Sequence, residues 1–199
     1  MKLAGKTDVG SVRPENQDDY RAGELNSDAA WGLVCDGMGG HAAGEVASEI
    51  AVDVICDRAP AHPDASALGQ AVEEANLAII RAAREGVGRA GMGCTCTAAM
   101  LEKDKLVIAQ VGDSRAYLLH KGQMQQLTRD HSLVADLIEA GQITEAEARV
   151  HPQRSVITRA LGSDPRTQPD LFEITVEAGD RLLLSLLSLS SHSEYSDNY

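Results

Sequence analysis

At 199 residues, 43% apolar and only 3% aromatic, the chain is long enough for one well-cored domain and too short for two, and its interior must be built from Val, Ile, Leu and Ala. A formal charge of −12 argues against nucleic acid or an anionic membrane as a main partner, because both require a positive surface, and it suits a protein that concentrates divalent cations. Met1 to Asp8 contains no apolar stretch of signal-peptide type. The longest greasy run, Leu182 to Leu189, is broken by two serines and is too short to span a bilayer. Cys35, Cys56, Cys94 and Cys96 lack zinc-knuckle spacing and read as buried free thiols of a cytoplasmic protein.

In chain order, Gly10-Ser11 suggests a turn, and Arg13 to Tyr20 is polar enough to read as an exposed loop. Trp31 to Cys35 reads as a buried strand that ends on Asp36, followed by Gly37, Gly39, Gly40 and Gly44. A carboxylate at a strand end beside side-chain-free backbone is a good place to hold a hard cation. Apolar residues at 46, 47, 50, 51, 54 and 55 predict a helix over 42–58, and the stripe Leu68, Val72, Ala75, Ile79, Ala83 predicts a second over 64–85. The period then shortens, predicting strands at 92–101, 105–111, 115–120 and 123–127, the last pair joined by a Lys121-Gly122 hairpin turn. A helix from Ser132 stops at Gly141, and Thr144 to Glu147 forms a capping box. Residues 155–161, 171–176 (Phe172, Ile174 and Val176 inward) and 182 onward are read as further strands. The pattern is α+β: one domain over 1–184, then a serine-rich, low-complexity tail over 185–199.

Three carboxylates stand at element ends beside small or polar neighbours: Asp18, Asp36 and Asp113. Asp36 and Asp113 each follow an apolar strand run, so parallel placement would bring them to one end of a sheet. Clustered carboxylates repel unless a divalent cation neutralises them, and all-oxygen ligands favour Mg²⁺ or Mn²⁺. Arg13 is a natural clamp for an anion beside them. The chain has no Gly-x-Ser-x-Gly elbow, no phosphate-binding loop and no His-Glu-x-x-His. By residue chemistry alone, metal-assisted phosphate-ester hydrolysis, a structural metal site and a plain surface turn all stay open.

Seven stretches, in order, narrow that choice: Thr7-Asp-Val-Gly10, Arg13-x-x-Asn-Gln-Asp18, Asp36-Gly-Met-Gly-Gly-His41 with Gly44 and Ala47-Ser48, Gly112-Asp-Ser-Arg-Ala-Tyr117, Thr128-Arg-Asp-His-Ser-Leu133, Thr158-Arg-Ala-Leu-Gly162 and Gly179-Asp-Arg-Leu-Leu-Leu184. Together they resemble the metal-dependent Ser/Thr protein phosphatases of the protein phosphatase 2C family in compact bacterial form. The resemblance implies an antiparallel β-sandwich flanked by helix pairs, with metals at one end between the sheets. It implies that Asp36 bridges two Mn²⁺ or Mg²⁺ ions, that Gly37 lends its carbonyl and that Asp18 acts mainly through bound water. Asp113 would belong to a third, weaker metal position, Arg13 would hold the substrate phosphate, and residues 132–160 would form a variable flap. The implied partner is a protein phosphorylated on Ser or Thr, in opposition to a Ser/Thr kinase.

Two positions depart from the family pattern. Met38 stands where some members carry a histidine that is a candidate acid, and His41, three residues on, reads as a structural histidine or one behind the ligands. Leu187 stands where the family has a metal-binding Asp, and Asp197-Asn198 follows too closely to replace the distant Asp-Asn ligand pair. The pattern breaks abruptly at Ser185, as a shifted reading frame would produce. The resemblance therefore predicts missing C-terminal strands, an exposed sheet edge, and fewer than the family's full set of metals. The alternative it leaves is an impaired phosphatase-like module that binds metal or phosphoprotein without efficient turnover.

Overall fold

A computed structural model describes residues 1–9, 15–40, 43–59 and 61–186. The architecture is α+β and antiparallel, as expected, and is built outward from one strand. β2 (Ala29–Met38) pairs with β1 (Asp18–Asn26) on one side and with β3 (Gly93–Cys94) and β4 (Cys96–Glu102) on the other. Beyond β4 follow β5 (Lys105–Val111) and β8 (Asp170–Thr175), giving the order β1-β2-β4-β5-β8. A second sheet runs β7-β6-β9, from β6 (Arg115–His120), β7 (Gln123–Gln126) and β9 (Arg181–Ser185).

Strand periodicity sorts the side chains into two cores. Leu33 and Cys35 of β2, Cys96, Ala98 and Met100 of β4, and Val107, Ala109 and Val111 of β5 face the helices. There they meet α1 (Ala43–Arg58) and α2 (Ala65–Arg84) through Ala47, Ala51, Ile55, Leu68, Val72, Ala75 and Ile79, most of the stripe that periodicity predicts for α2. The opposite face supplies Ala99, Leu106 and Ile108, which pack between the sheets against Ala116, Leu118, Leu182 and Leu184. The helices with substantial sheet contact, α1 and α2, both lie on the larger sheet. Among the described residues β9 is paired only with β6, and Leu183 on it is 48% exposed.

Local signals hold where the chemistry is local. Asp64 caps α2 by accepting from the Ala67 N–H, and α4 (Glu145–Arg149) opens on the full Thr144/Glu147 capping box. Lys121 and Gly122 take φ of 49° and 83°, the left-handed pair that a two-residue hairpin needs. Gly141 follows α3 (Leu133–Glu139) at φ 67°.

Two expectations change. Residues 155–161 do not form a strand, because the segment changes partners midway. The Val156 carbonyl accepts from the Leu133 N–H and the Thr158 N–H donates to the His131 carbonyl, whereas Leu161 exchanges both its bonds with Cys94. Only single bridges result, at Ile157 and Leu161. Conversely, the polar stretch that reads as a loop enters β1 at Asp18. As an edge strand with mostly exposed side chains, β1 carries no apolar alternation to betray it.

α1 begins in backbone contact with the end of β2. A Cβ on Gly44 would lie 2.7 Å from the Gly37 carbonyl carbon, and one on Gly37 would lie 2.2 Å from the Gly44 oxygen. Neither backbone can move without shifting a whole element. Gly44→Ala is expected to lower unfolding free energy by about 1–3 kcal/mol through overpacking, read as a fall in the urea midpoint at unchanged m-value.

Candidate active site

The acids singled out in the sequence leave the larger sheet at one end. β4 lies between β2 and β5 and is antiparallel to both, so β2 and β5 run parallel, and Asp36 and the turn that carries Asp113 emerge together. Asp18 is the direct register partner of Asp36 across the β1–β2 pair, so both side chains stand on the same face. That face is the one turned toward the second sheet: a Cβ on Gly32, four residues earlier on β2, would lie 3.7 Å from Leu184 Cδ1. Asp18 and Asp36 are half-buried, while Gly37 is buried against Gly44.

The loop before β1 is held by backbone bonds. The Gln17 carbonyl accepts from the Gly37 N–H at 3.0 Å and from Ser48 Oγ of α1 at 2.9 Å. The Asp18 N–H donates to Asn16 Oδ1 at 3.1 Å, and Asn16 Nδ2 donates to Thr7 Oγ1 at 2.7 Å. The Asn-Gln-Asp motif is thus a device that seats Asp18 opposite Asp36.

Asp113 sits in a separate turn. Gly112 takes φ of +100°, a conformation that favours glycine, and donates its N–H to His131 Nδ1 at 3.0 Å. The His131 N–H returns a bond to the Gly112 carbonyl at 2.9 Å. Because Nδ1 accepts, the ring proton lies on Nε2, which donates to Asp170 Oδ2 at 3.0 Å. Burial holds the His131 pKa below the ordinary histidine value despite the opposing pull of Asp170. Arg115 grips Asp130 through two nitrogens, Nε at 2.8 Å and Nη2 at 2.6 Å. Asp113 itself is only 4% exposed. Burial, reinforced by the negative charge of Asp130, pushes its pKa up to about 6.

The donors at this end fit a hard cation. They are the two carboxylates in register, Asp18 and Asp36, beside the side-chain-free backbone of Gly37. Among the described residues no three His, Cys, Asp or Glu side chains form a complete protein-only cage. A cation here would complete its shell with water, as Mg²⁺ and Mn²⁺ do, and Asp18, Asp36 and Gly37 would hold it. Asp113 shares the sheet end from its own turn. Soft donors point away: Cys35, Cys94 and Cys96 are fully buried in the helix-side core. The Cys35 and Cys96 thiols are held well above the ordinary cysteine value by hydrogen bonds among the thiols and by burial. Arg13, His41 and Leu187 lie outside the described residues.

Sequence reading gave no role to a set of buried polar residues behind the acids: Thr95, Thr97 and Gln110, with Ser114 and His131 from two of the quoted stretches. The available signal was a glutamine in the otherwise apolar run Lys-Leu-Val-Ile-Ala-Gln-Val111.

The protein phosphatase 2C family profile matches residues 11–171, and the chain belongs to that family. It is a protein-serine/threonine phosphatase by class. The serine/threonine phosphatase stp of Listeria welshimeri is 38% identical over 194 residues, which cover 92% of this chain and 76% of that protein. The crystal structure of the Mycobacterium tuberculosis serine/threonine phosphatase PstP superposes with a TM-score of 0.85 at 38% identity, over 94% of this chain and 78% of that one. A structure of the PstP catalytic domain in complex with two manganese ions aligns with a TM-score of 0.77 at 36% identity, over 90% and 74% of the respective chains.

The raised pKa of Asp113 has a measurable consequence in metal-free protein. The folded state retains a proton to about pH 6, whereas an unfolded Asp loses it near 3.9. Its favourable contribution is therefore complete below about pH 4 and is lost as pH rises through about 6, an effect of up to about 3 kcal/mol. Asp113→Asn is expected to flatten that slope and to raise metal-free stability at pH 7, measured by urea denaturation at a series of pH values.

Proposed function

We propose that this phosphatase is metal-dependent and hydrolyses phosphoserine and phosphothreonine in proteins at the β2 end, with Mn²⁺ or Mg²⁺ as cofactor. The observation that carries this reading is the register pairing of Asp18 with Asp36 beside the crowded backbone of Gly37. In this reading Asp36 and the Gly37 carbonyl would hold the cations, Asp18 would act through water and Asp113 would serve a further position. Bound cations supply Lewis acidity that neutralises phosphate charge and makes a water nucleophilic toward phosphorus. Arg13, which precedes Asp18 by five residues, binds two phosphoryl oxygens and orients the ester for in-line displacement of the Ser or Thr oxygen. The manganese-bound relative, at 36% identity, supports the choice of ion.

The catalytic domain of this reading spans residues 1–184, with 185–199 as its tail. Its partners are phosphoproteins made by an opposing Ser/Thr kinase. The cytoplasm suits it: the four cysteines are free, and among the described residues no helix is long and apolar enough to cross a membrane.

The test is phosphate release from p-nitrophenyl phosphate and from a phosphothreonine peptide, with and without millimolar Mn²⁺. Activity is expected to require the ion and to fall by at least about 100-fold in Asp36→Asn. Absence of Mn²⁺-stimulated turnover above the Asp36→Asn background would defeat the enzymatic reading. If Mn²⁺ still raised the melting temperature in that case, the impaired metal-binding module would stand in its place.

A further inference from the structure

Gln110 is fully buried, and every polar atom of its amide is used. Its Oε1 accepts from Thr97 Oγ1 at 2.6 Å. Its Nε2 donates to the carbonyls of Gly112, at 3.0 Å, and Ser114, the two residues that flank Asp113. The Ser114 hydroxyl shares a 2.6 Å hydrogen bond with Thr95 Oγ1, which also accepts the Asp36 N–H at 2.9 Å. Thr95, Thr97, Gln110 and Ser114 are all 0% exposed. One dry, continuous network therefore runs from the backbone on either side of Asp113 to the backbone of Asp36.

Such a cluster is costly to bury, and apolar side chains of similar volume would fill the same space without that desolvation. Its atoms point at backbone groups of the two acidic strand ends, and among the described residues no buried side-chain donor or acceptor lacks a partner. We infer that Gln110 is a positioning residue: with Thr95 and Ser114 it fixes the Asp113 turn relative to Asp36 and so sets the spacing of the two carboxylates before any ligand arrives. The link to metal rests on the proposed function, but the positioning itself does not.

Gln110→Met keeps the length of the side chain and removes its donors and acceptor. In metal-free protein, hydrogen exchange followed by NMR is expected to accelerate about tenfold or more at Gly112 and Asp36, whose N–H groups donate to His131 Nδ1 and Thr95 Oγ1, while amides of α2 and the middle of β5 keep their wild-type rates. The Mn²⁺ concentration that gives half the maximal rise in melting temperature should increase about tenfold, in line with losses at groups that orient ligands. Unchanged exchange, or uniform acceleration throughout the chain, would overturn the inference. So would an unaltered Mn²⁺ midpoint where the wild type responds. If Gln110→Met fails to fold, Thr95→Val, which removes only the hydroxyl, is read by the same criteria at Asp36. If the wild type itself shows no response to Mn²⁺, the proposed function falls, and the exchange rates alone decide the positioning role.

Discussion

The candidate site depends on a place where two backbones touch. The end of β2 and the first turn of α1 meet at Gly37 and Gly44 with no room for a single Cβ. The same carbonyl of Gln17 receives bonds from Gly37 and from Ser48 of α1. Strand, helix and N-terminal loop are thereby fixed to one another within a few ångströms of Asp36. Glycines that first read as space for a ligand also serve closeness between protein elements, and oxygen atoms crowd there because side chains do not.

The second constraint is electrostatic. Several acidic side chains gather at one sheet end, and the structure handles them differently by position. Asp130 is neutralised by the two-nitrogen grip of Arg115, Asp170 is supported by His131 and Arg159, and Asp113, buried beside Asp130, holds its proton to about pH 6. A site so arranged favours any positive charge placed among its acids. The chain's overall acidity is thus local in its effects: what matters is which partner each carboxylate meets.

How much could be read from the sequence follows the range of the interaction. Caps, the Lys121-Gly122 turn and the α2 stripe are decided within a few residues and were legible. So were Asp36 and Asp113 as acids at element ends, because an apolar run that stops on a carboxylate is a local pattern, whereas Asp18 stood out by its polar neighbours Asn16 and Gln17. The edge strand β1 was hidden because its register with β2, not its own periodicity, makes it a strand. Residues 155–161 carried the composition of a strand but found two separate partners instead of one. The roles of Gln110, Thr95 and Ser114 were not legible because the bonds that join Thr97 to Gln110, Thr95 to Ser114 and Asp36 to Thr95 span 13, 19 and 59 positions and leave no spacing to recognise.

The alternation along β2 has a further meaning. Asp36 and Cys35 are neighbours in sequence, yet one stands on the inter-sheet face and the other is sealed beneath α1 beside Cys94 and Cys96. Displacing β2 by one residue would exchange them, presenting one thiol in place of one carboxylate at the same address. Oxygen donors hold magnesium and manganese, whereas sulfur donors hold zinc and copper. Strand parity here therefore acts as a chemical filter: whether an oxygen or a sulfur donor stands at this sheet end is written in whether a residue number is odd or even.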